Sequence, residues 1–136
     1  MNPLDIPYHL LLPCLLSVVG LGLIVWKRKR LFGQKSVFWR AVVVFLSVYA
    51  LIVGMAAYQD IWIQCEVNRL DINDDGLFSS SEMTPEVQEL LRMQTSDVGR
   101  NFSFVSGWVV AFVLAAMVYM LGRLWNKKKN QPTFKD

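Results

Sequence analysis

The sequence predicts an all-α membrane protein, in which three transmembrane helices carry a single extracytoplasmic helix–loop–helix between the second and third spans. Three observations predict it. Apolar blocks at 8–26, 37–58 and 104–122 are each close to the roughly 20 residues of helix that cross a bilayer. The basic residues crowd beside these blocks, and the acidic residues gather in the one long polar stretch, 59–103.

The chain has 136 residues, enough for one modest domain, and 54% are apolar against 18% charged. Three almost uncharged blocks leave too little polar surface to cover them as core helices, which are usually shorter and amphipathic. The net charge of +3 conceals a segregation. Lys27, Arg28, Lys29, Arg30, Lys35 and Arg40 lie between or beside the first two blocks, and Arg123, Lys127, Lys128, Lys129 and Lys135 follow the third. Residues 59–103 instead hold nine acidic residues against three basic ones. The positive-inside rule then places the loop 27–36 and the basic tail 123–136 in the cytoplasm, with the N-terminal segment 1–7 and the stretch 59–103 outside it. Trp26, Trp39 and Trp125 would mark the cytoplasmic interface, and Tyr8, Tyr58 and Trp108 the outer one, because their rings are part apolar and part hydrogen-bonding. Basic runs that abut apolar spans read as topology signals and lipid-headgroup contacts, with no nucleic-acid partner.

Taken in order, the N-terminus has no basic residue before the first apolar run, so that run is expected to be a retained span and not a cleaved signal. Pro13 falls in its first turns, a place for a kink, and Ser17 and Gly20 give it a small face for another helix. The link 27–36 is short, which makes the first two spans antiparallel neighbours. Arg40 lies one turn inside the second span, where its long side chain is expected to snorkel to the interface. Ala50 and Gly54 form a small-xxx-small pair that permits close contact. No helix breaker follows Tyr58 until Asp71, and Ile63, Val67 and Leu70 keep a helical spacing. The second span is therefore expected to continue to Leu70 as one helix, roughly 50 Å long at 1.5 Å per residue.

The twelve residues 71–82, DINDDGLFSSSE, form the one motif with chemistry. Asp71, Asn73 and Asp75 place side-chain oxygens on alternate residues, and Gly76 sits where a sharp turn needs φ > 0. Ser79 and Glu82 have the spacing of a helix capping box, so a plain acidic turn before a helix is the competing reading. The stretch resembles an EF-hand calcium loop. That resemblance implies Ca2+ as the bound ion, with Asp71, Asn73, Asp75, the Leu77 carbonyl, Ser79 and a bidentate Glu82 as its ligands. Phe78 would sit on a short strand that pairs with a neighbouring loop. The outgoing helix should present Met83, Val87, Leu90 and Leu91 on one face. Pro85 departs from the simplest pattern and points to a restart, with Thr84 as N-cap and Pro85 at the first helical position. That helix should fade near Gln94, and residues 95–101 read as a return loop. In the third span, Gly107, Ala111 and Ala115 make a smooth stripe, read as packing against the other spans. The tail reads as solvated.

His9 is the only histidine and should meet water or headgroups. No HExxH, zinc-spaced cysteine pair, GxSxG or phosphate-binding glycine loop occurs, and no Asp, Glu or Lys lies inside a span. Both facts argue against an enzyme or an independent transporter. Cys14 and Cys65 lie toward the outer side at different depths and are expected as free thiols, since a bridge needs Cα atoms within about 7 Å. The expectation is a calcium-binding accessory subunit of a membrane complex, whose loop stabilises an outer domain that contacts a partner. The alternative is a calcium-sensing regulator of a membrane channel, transporter or enzyme. Its partners would be membrane lipids and other membrane subunits or a second copy of itself. A bacterial inner membrane, with the loop in the periplasm, is the better fit, and a eukaryotic surface or lumenal membrane fits nearly as well.

Overall fold

Helix forms wherever apolar residues run on without a breaker, and one such run dominates. The computed structural model describes residues 6–31, 36–71, 78–79, 82–95 and 98–129. The described elements are all helical: α1 (Tyr8–Trp26), α2 (Arg28–Leu31), α3 (Ser36–Leu70), α4 (Pro85–Thr95), α5 (Val98–Asn101) and α6 (Ser103–Lys129). Three of them, α1, α3 and α6, are long and apolar enough to cross a membrane. Three such helices suggest a multi-pass membrane protein.

The 35 residues of α3 form one uninterrupted helix, about 52 Å long. That exceeds the roughly 30 Å of a bilayer's hydrocarbon core, so part of α3 must stand outside it. Both α1 and α6 pack along α3 and touch each other little. The end of the bundle that leads toward α4 is its loop end, and the opposite one its basic end. Leu10 from the start of α1 and Val53, Ala56 and Ala57 from the middle of α3 form the buried core, with Leu11, Cys14 and Tyr49 against it.

Small residues set the spacing between the helices. At Gly20 a Cβ would come within 3.2 Å of Leu46, and at Gly54 within 3.2 Å of the Cys14 sulfur. The Cys14 thiol donates to the Ala50 carbonyl at 3.6 Å, so the Ala50–Gly54 pair is where α1 comes close. On the other side, Ala111 and Ala115 are buried, and a Cβ on Gly107 would lie 2.9 Å from Ile52 Cγ2. The stripe on α6 is thus taken up by α3. Pro13 sits within α1 without ending it, and the Ser17 hydroxyl donates to its carbonyl at 2.8 Å. Arg40 turns back along α3 and donates to the Ser36 carbonyl and hydroxyl. Its guanidinium is therefore held toward the helix end, the snorkelled position. Both cysteines are free.

Two differences from the sequence reading stand out. Residues 98–101, expected as loop, form the turn of helix α5, and its Arg100 is buried. The third long helix also runs past Gly122 to Lys129, so the first part of the expected tail is helical. No proline or glycine interrupts 123–129, and lysines near a helix C-terminus favour its dipole. Residues 130–136 lie outside the described ones.

Gly122 gives the sharpest test of this packing. A Cβ there would meet Val37 Cγ1 at 2.6 Å, whereas Gly22 has nothing within 4 Å. Val37 is β-branched and cannot swing aside easily. Gly122→Ala and Gly107→Ala are expected to cost about 1–3 kcal/mol by overpacking. Gly22→Ala should be neutral or slightly stabilising, because Gly in a helix is about 0.5–1 kcal/mol worse than Ala. Thermal melts of the detergent-solubilised variants compare the three.

Candidate functional site

The candidate site begins where α3 ends. Asp71 is the first residue beyond the helix and is only 8% exposed, and Glu82, at the other end of the motif, is also 8% exposed. Carboxylates are rarely buried to this degree without a partner of opposite charge or good donors. Of the expected ligands, Asp71, Ser79 and Glu82 are described, whereas Asn73, Asp75 and Leu77 lie outside the described residues.

The far side of the motif is built by local capping. The Ser79 backbone N–H and hydroxyl both donate to Glu82 Oε2, at 2.9 and 2.8 Å. In return, the N–H groups of Glu82 and Met83 reach the Ser79 carbonyl at 3.0 and 3.1 Å. A glutamate three residues after the serine satisfies the backbone donor that a helical turn would leave open. This turn does not run into the outgoing helix. A second device starts that one: the Val87 N–H reaches Thr84 Oγ1 at 3.3 Å, and α4 begins at Pro85. Thr84 as N-cap and Pro85 at the first position agree with the sequence reading. Glu82 therefore sits in a separate turn ahead of α4, not in its first turn. Val87 and Leu90 of α4 are buried, as is Ile63 of α3, and the two helices pack together.

The donors at hand suit a hard cation. Both hydrogen bonds to Glu82 fall on a single oxygen, and an ionised carboxylate has about four acceptor positions. Asp71, Ser79 and Glu82 thus offer only oxygen, the ligand type calcium takes. Among the described residues no group of three or more His, Cys, Asp or Glu side chains comes together.

A second feature lies between this motif and the spans. Arg100 Nε and Asp60 Oδ1 are 3.2 Å apart, with the arginine side chain 3% exposed. Arg100 Nη2 also donates to the Met93 carbonyl in the last turns of α4, at 3.3 Å. Gln64 Nε2 donates to Asp60 Oδ2 at 3.1 Å. One guanidinium therefore ties α3, α4 and α5 together at the root of α6. Sequence reasoning missed it, although Arg100 is one of only three basic residues within the acidic stretch. That imbalance is the signal that could have singled it out. The Arg69–Glu66 pair, 3.3 Å apart on the surface of α3, adds little by comparison, as exposed pairs do.

His9 is exposed and meets Phe104 edge-on, with ring centroids 6.3 Å apart. Trp108 stacks on Phe112 and meets Phe45 edge-on. The Phe45 contact holds it against α3.

Comparison of the chain with protein-family models, with curated proteins and with solved structures finds no match. The functional reading therefore rests on the residues themselves.

Breaking a buried ion pair by removing one partner typically costs 3–5 kcal/mol. Asp60 keeps some solvent contact, its side chain being 17% exposed. Arg100→Gln is thus expected to destabilise the chain by about 3 kcal/mol. Asp60→Asn combined with Arg100→Gln should cost less than the two single changes summed. A double-mutant cycle on thermal stability reads the coupling.

Proposed function

We propose that this chain is a calcium-binding accessory subunit of a membrane complex. In this reading the motif 71–82 is an EF-hand loop that holds an outer lobe in shape for a partner. The observation that carries it is the placement of an oxygen-rich motif whose two end carboxylates, Asp71 and Glu82, are withdrawn from solvent. Calcium, when bound, supplies a divalent charge that offsets the cost of bringing several carboxylate oxygens together. The chain's own contribution is positioning. The end of α3 fixes Asp71, and the Ser79–Glu82 turn fixes the opposite carboxylate. Asn73, Asp75 and the Leu77 carbonyl complete the proposed set. Ligand binding to the folded lobe alone would stabilise it by mass action.

The lobe is proposed to lie outside the cytoplasm with the N-terminus, and the basic tail inside, on the strength of the charge segregation. A bacterial inner membrane, with the lobe in the periplasm, is the favoured setting. The proposed partners are other membrane subunits or a second copy of the chain.

A calcium-sensing regulator is the second reading, and one observation favours it: α3 is unbroken from its basic end to Asp71. A movement at the loop would therefore reach the bilayer along a stiff rod. The Arg100 node weighs the other way, because it ties α4 and α5 to α3 near the root of the lobe.

Glu82→Gln separates an ion site from a plain capped turn. Glutamine serves in a capping box as glutamate does, so the fold should survive the change. Loss of a bidentate charged ligand should weaken calcium binding severely. Calorimetric titration of purified Glu82→Gln and Asp71→Ala proteins is expected to give no binding, against clear binding by the unsubstituted chain. Unchanged titrations would leave only the capped turn. A calcium-dependent change in the distance between labels on α3 and α4 would favour the sensor over the rigid subunit.

A further inference from the structure

The basic end of the bundle carries a concentration of cations with almost no acidic residue near it in the sequence. No Asp or Glu occurs between residues 6 and 59, or between 98 and 135. Elsewhere the basic residues do find acids: Arg100 has Asp60, and Arg69 has Glu66. At the basic end the only carboxylate in reach along the sequence is Asp136, at the chain's last position.

The fold gathers this charge at one level. The contact at Gly122 sets the last turns of α6 beside the start of α3, since a Cβ there would touch Val37. The contact of Gly20 with Leu46 fixes the register of α1 on α3. Six residues further on, about 9 Å at 1.5 Å per residue, Trp26 comes to the depth of Arg40. The chain then turns at Lys27 into α2, where the Arg30 N–H reaches the Lys27 carbonyl. That turn holds Lys27, Lys29 and Arg30 at the rim, all exposed. Arg40 contributes from α3, its guanidinium drawn toward the helix end by Ser36. From α6, Arg123 lies over the Tyr119 ring at 5.9 Å, and Lys127 and Lys128 follow, exposed. Trp26 and Trp125 flank the rim and are 81% and 76% exposed. Indole rings at such positions settle at the headgroup level, which sets the depth at which the cations act.

We propose that this rim is a binding surface for anionic phospholipid headgroups, formed jointly by the ends of α1, α3 and α6 with α2. Lipid is the occupant favoured over an acidic protein or a nucleic acid. The cations are arranged around apolar helices at tryptophan depth, where lipid phosphates lie, and not on a face directed into solvent. Juxtamembrane Lys and Arg gain attraction to an anionic leaflet that falls off within a Debye length. The chain should therefore concentrate anionic lipid around itself in one leaflet. This inference does not depend on the calcium reading.

The test uses the full chain reconstituted in phosphatidylcholine vesicles. A minor fraction of the lipid is brominated, either phosphatidylglycerol or, in the control, phosphatidylcholine, and tryptophan quenching reports local lipid composition. Brominated phosphatidylglycerol is expected to quench as if enriched by about threefold or more. The excess should vanish in 1 M salt, where the Debye length is about 3 Å. It should also fall in a Lys27→Gln, Lys29→Gln, Arg30→Gln variant and in an Arg123→Gln, Lys127→Gln, Lys128→Gln variant. Trp26→Phe, Trp39→Phe and Trp125→Phe together, which leave Trp62 and Trp108 as reporters away from this end, should remove the excess signal and so tie it to this end.

Equal quenching by the two lipids, or an excess that ignores salt, overturns the proposal. An excess that survives in both glutamine variants or in the triple Phe variant does the same, because the site would then lie elsewhere. Should the glutamine variants fail to insert, the salt titration of the unsubstituted chain decides alone. Preference for an added oligonucleotide or acidic peptide over vesicle lipid also overturns it.

Discussion

The close approach of α1 and α6 to a single long helix is the constraint on which the rest of this structure depends. In a bilayer, lipid tails are as apolar as leucine, so burying apolar surface does not drive helices together, and packing at short range must do so. The chain meets that requirement by leaving side chains out. Gly20 against Leu46 and Gly54 against Cys14 admit α1 to α3, and Gly107 against Ile52 and Gly122 against Val37 admit α6 to it. With both neighbours seated, α3 is held as a rod longer than a bilayer's hydrocarbon core is thick. The chain after Leu70 starts from the end of that rod.

Two capping devices and one buried arginine then shape what stands at the loop end. Ser79 with Glu82 closes one turn, and Thr84 with Pro85 opens the next. The proline explains why they are separate, since its ring and missing N–H disfavour a helix running through it. Glu82 therefore stands in its own short turn, and a proposed metal ligand doubles as a capping acceptor. The Arg100 guanidinium joins three elements behind this turn. A lobe tied this way is better suited to offering a fixed surface than to swinging, which favours an accessory subunit over a sensor.

How much of this was legible in the sequence depended on the range of the interactions. The spans were, because their apolar runs are local. The continuation of the second span to Leu70 was legible because no breaker follows Tyr58. The restart at Thr84–Pro85 was read from two adjacent residues, and the packing roles of Ala50–Gly54 and of Gly107, Ala111 and Ala115 from their spacing. The turn at 98–101 was not legible. Its composition reads as loop, and the buried pair with Asp60, which spans forty residues of sequence, is absent from any local pattern. The helical run past Gly122 was missed for the opposite reason, because lysines were read as solvated tail when they also suit a helix C-terminus. For the site itself, the motif was visible residue by residue, and the burial of Asp71 and Glu82 was not.

The proposal at the centre is that a divalent ion, held by residues 71–82, keeps the outer lobe in shape on a rigid three-helix anchor. Hydrogen–deuterium exchange of the intact, detergent-solubilised chain, with calcium and with a chelator, tests it most directly. Calcium is expected to slow exchange across 71–95 by tenfold or more while leaving the bilayer-length part of α3 unchanged, a factor corresponding to about 1.4 kcal/mol of added local stability. Identical exchange across 71–95 in calcium and in chelator would contradict it.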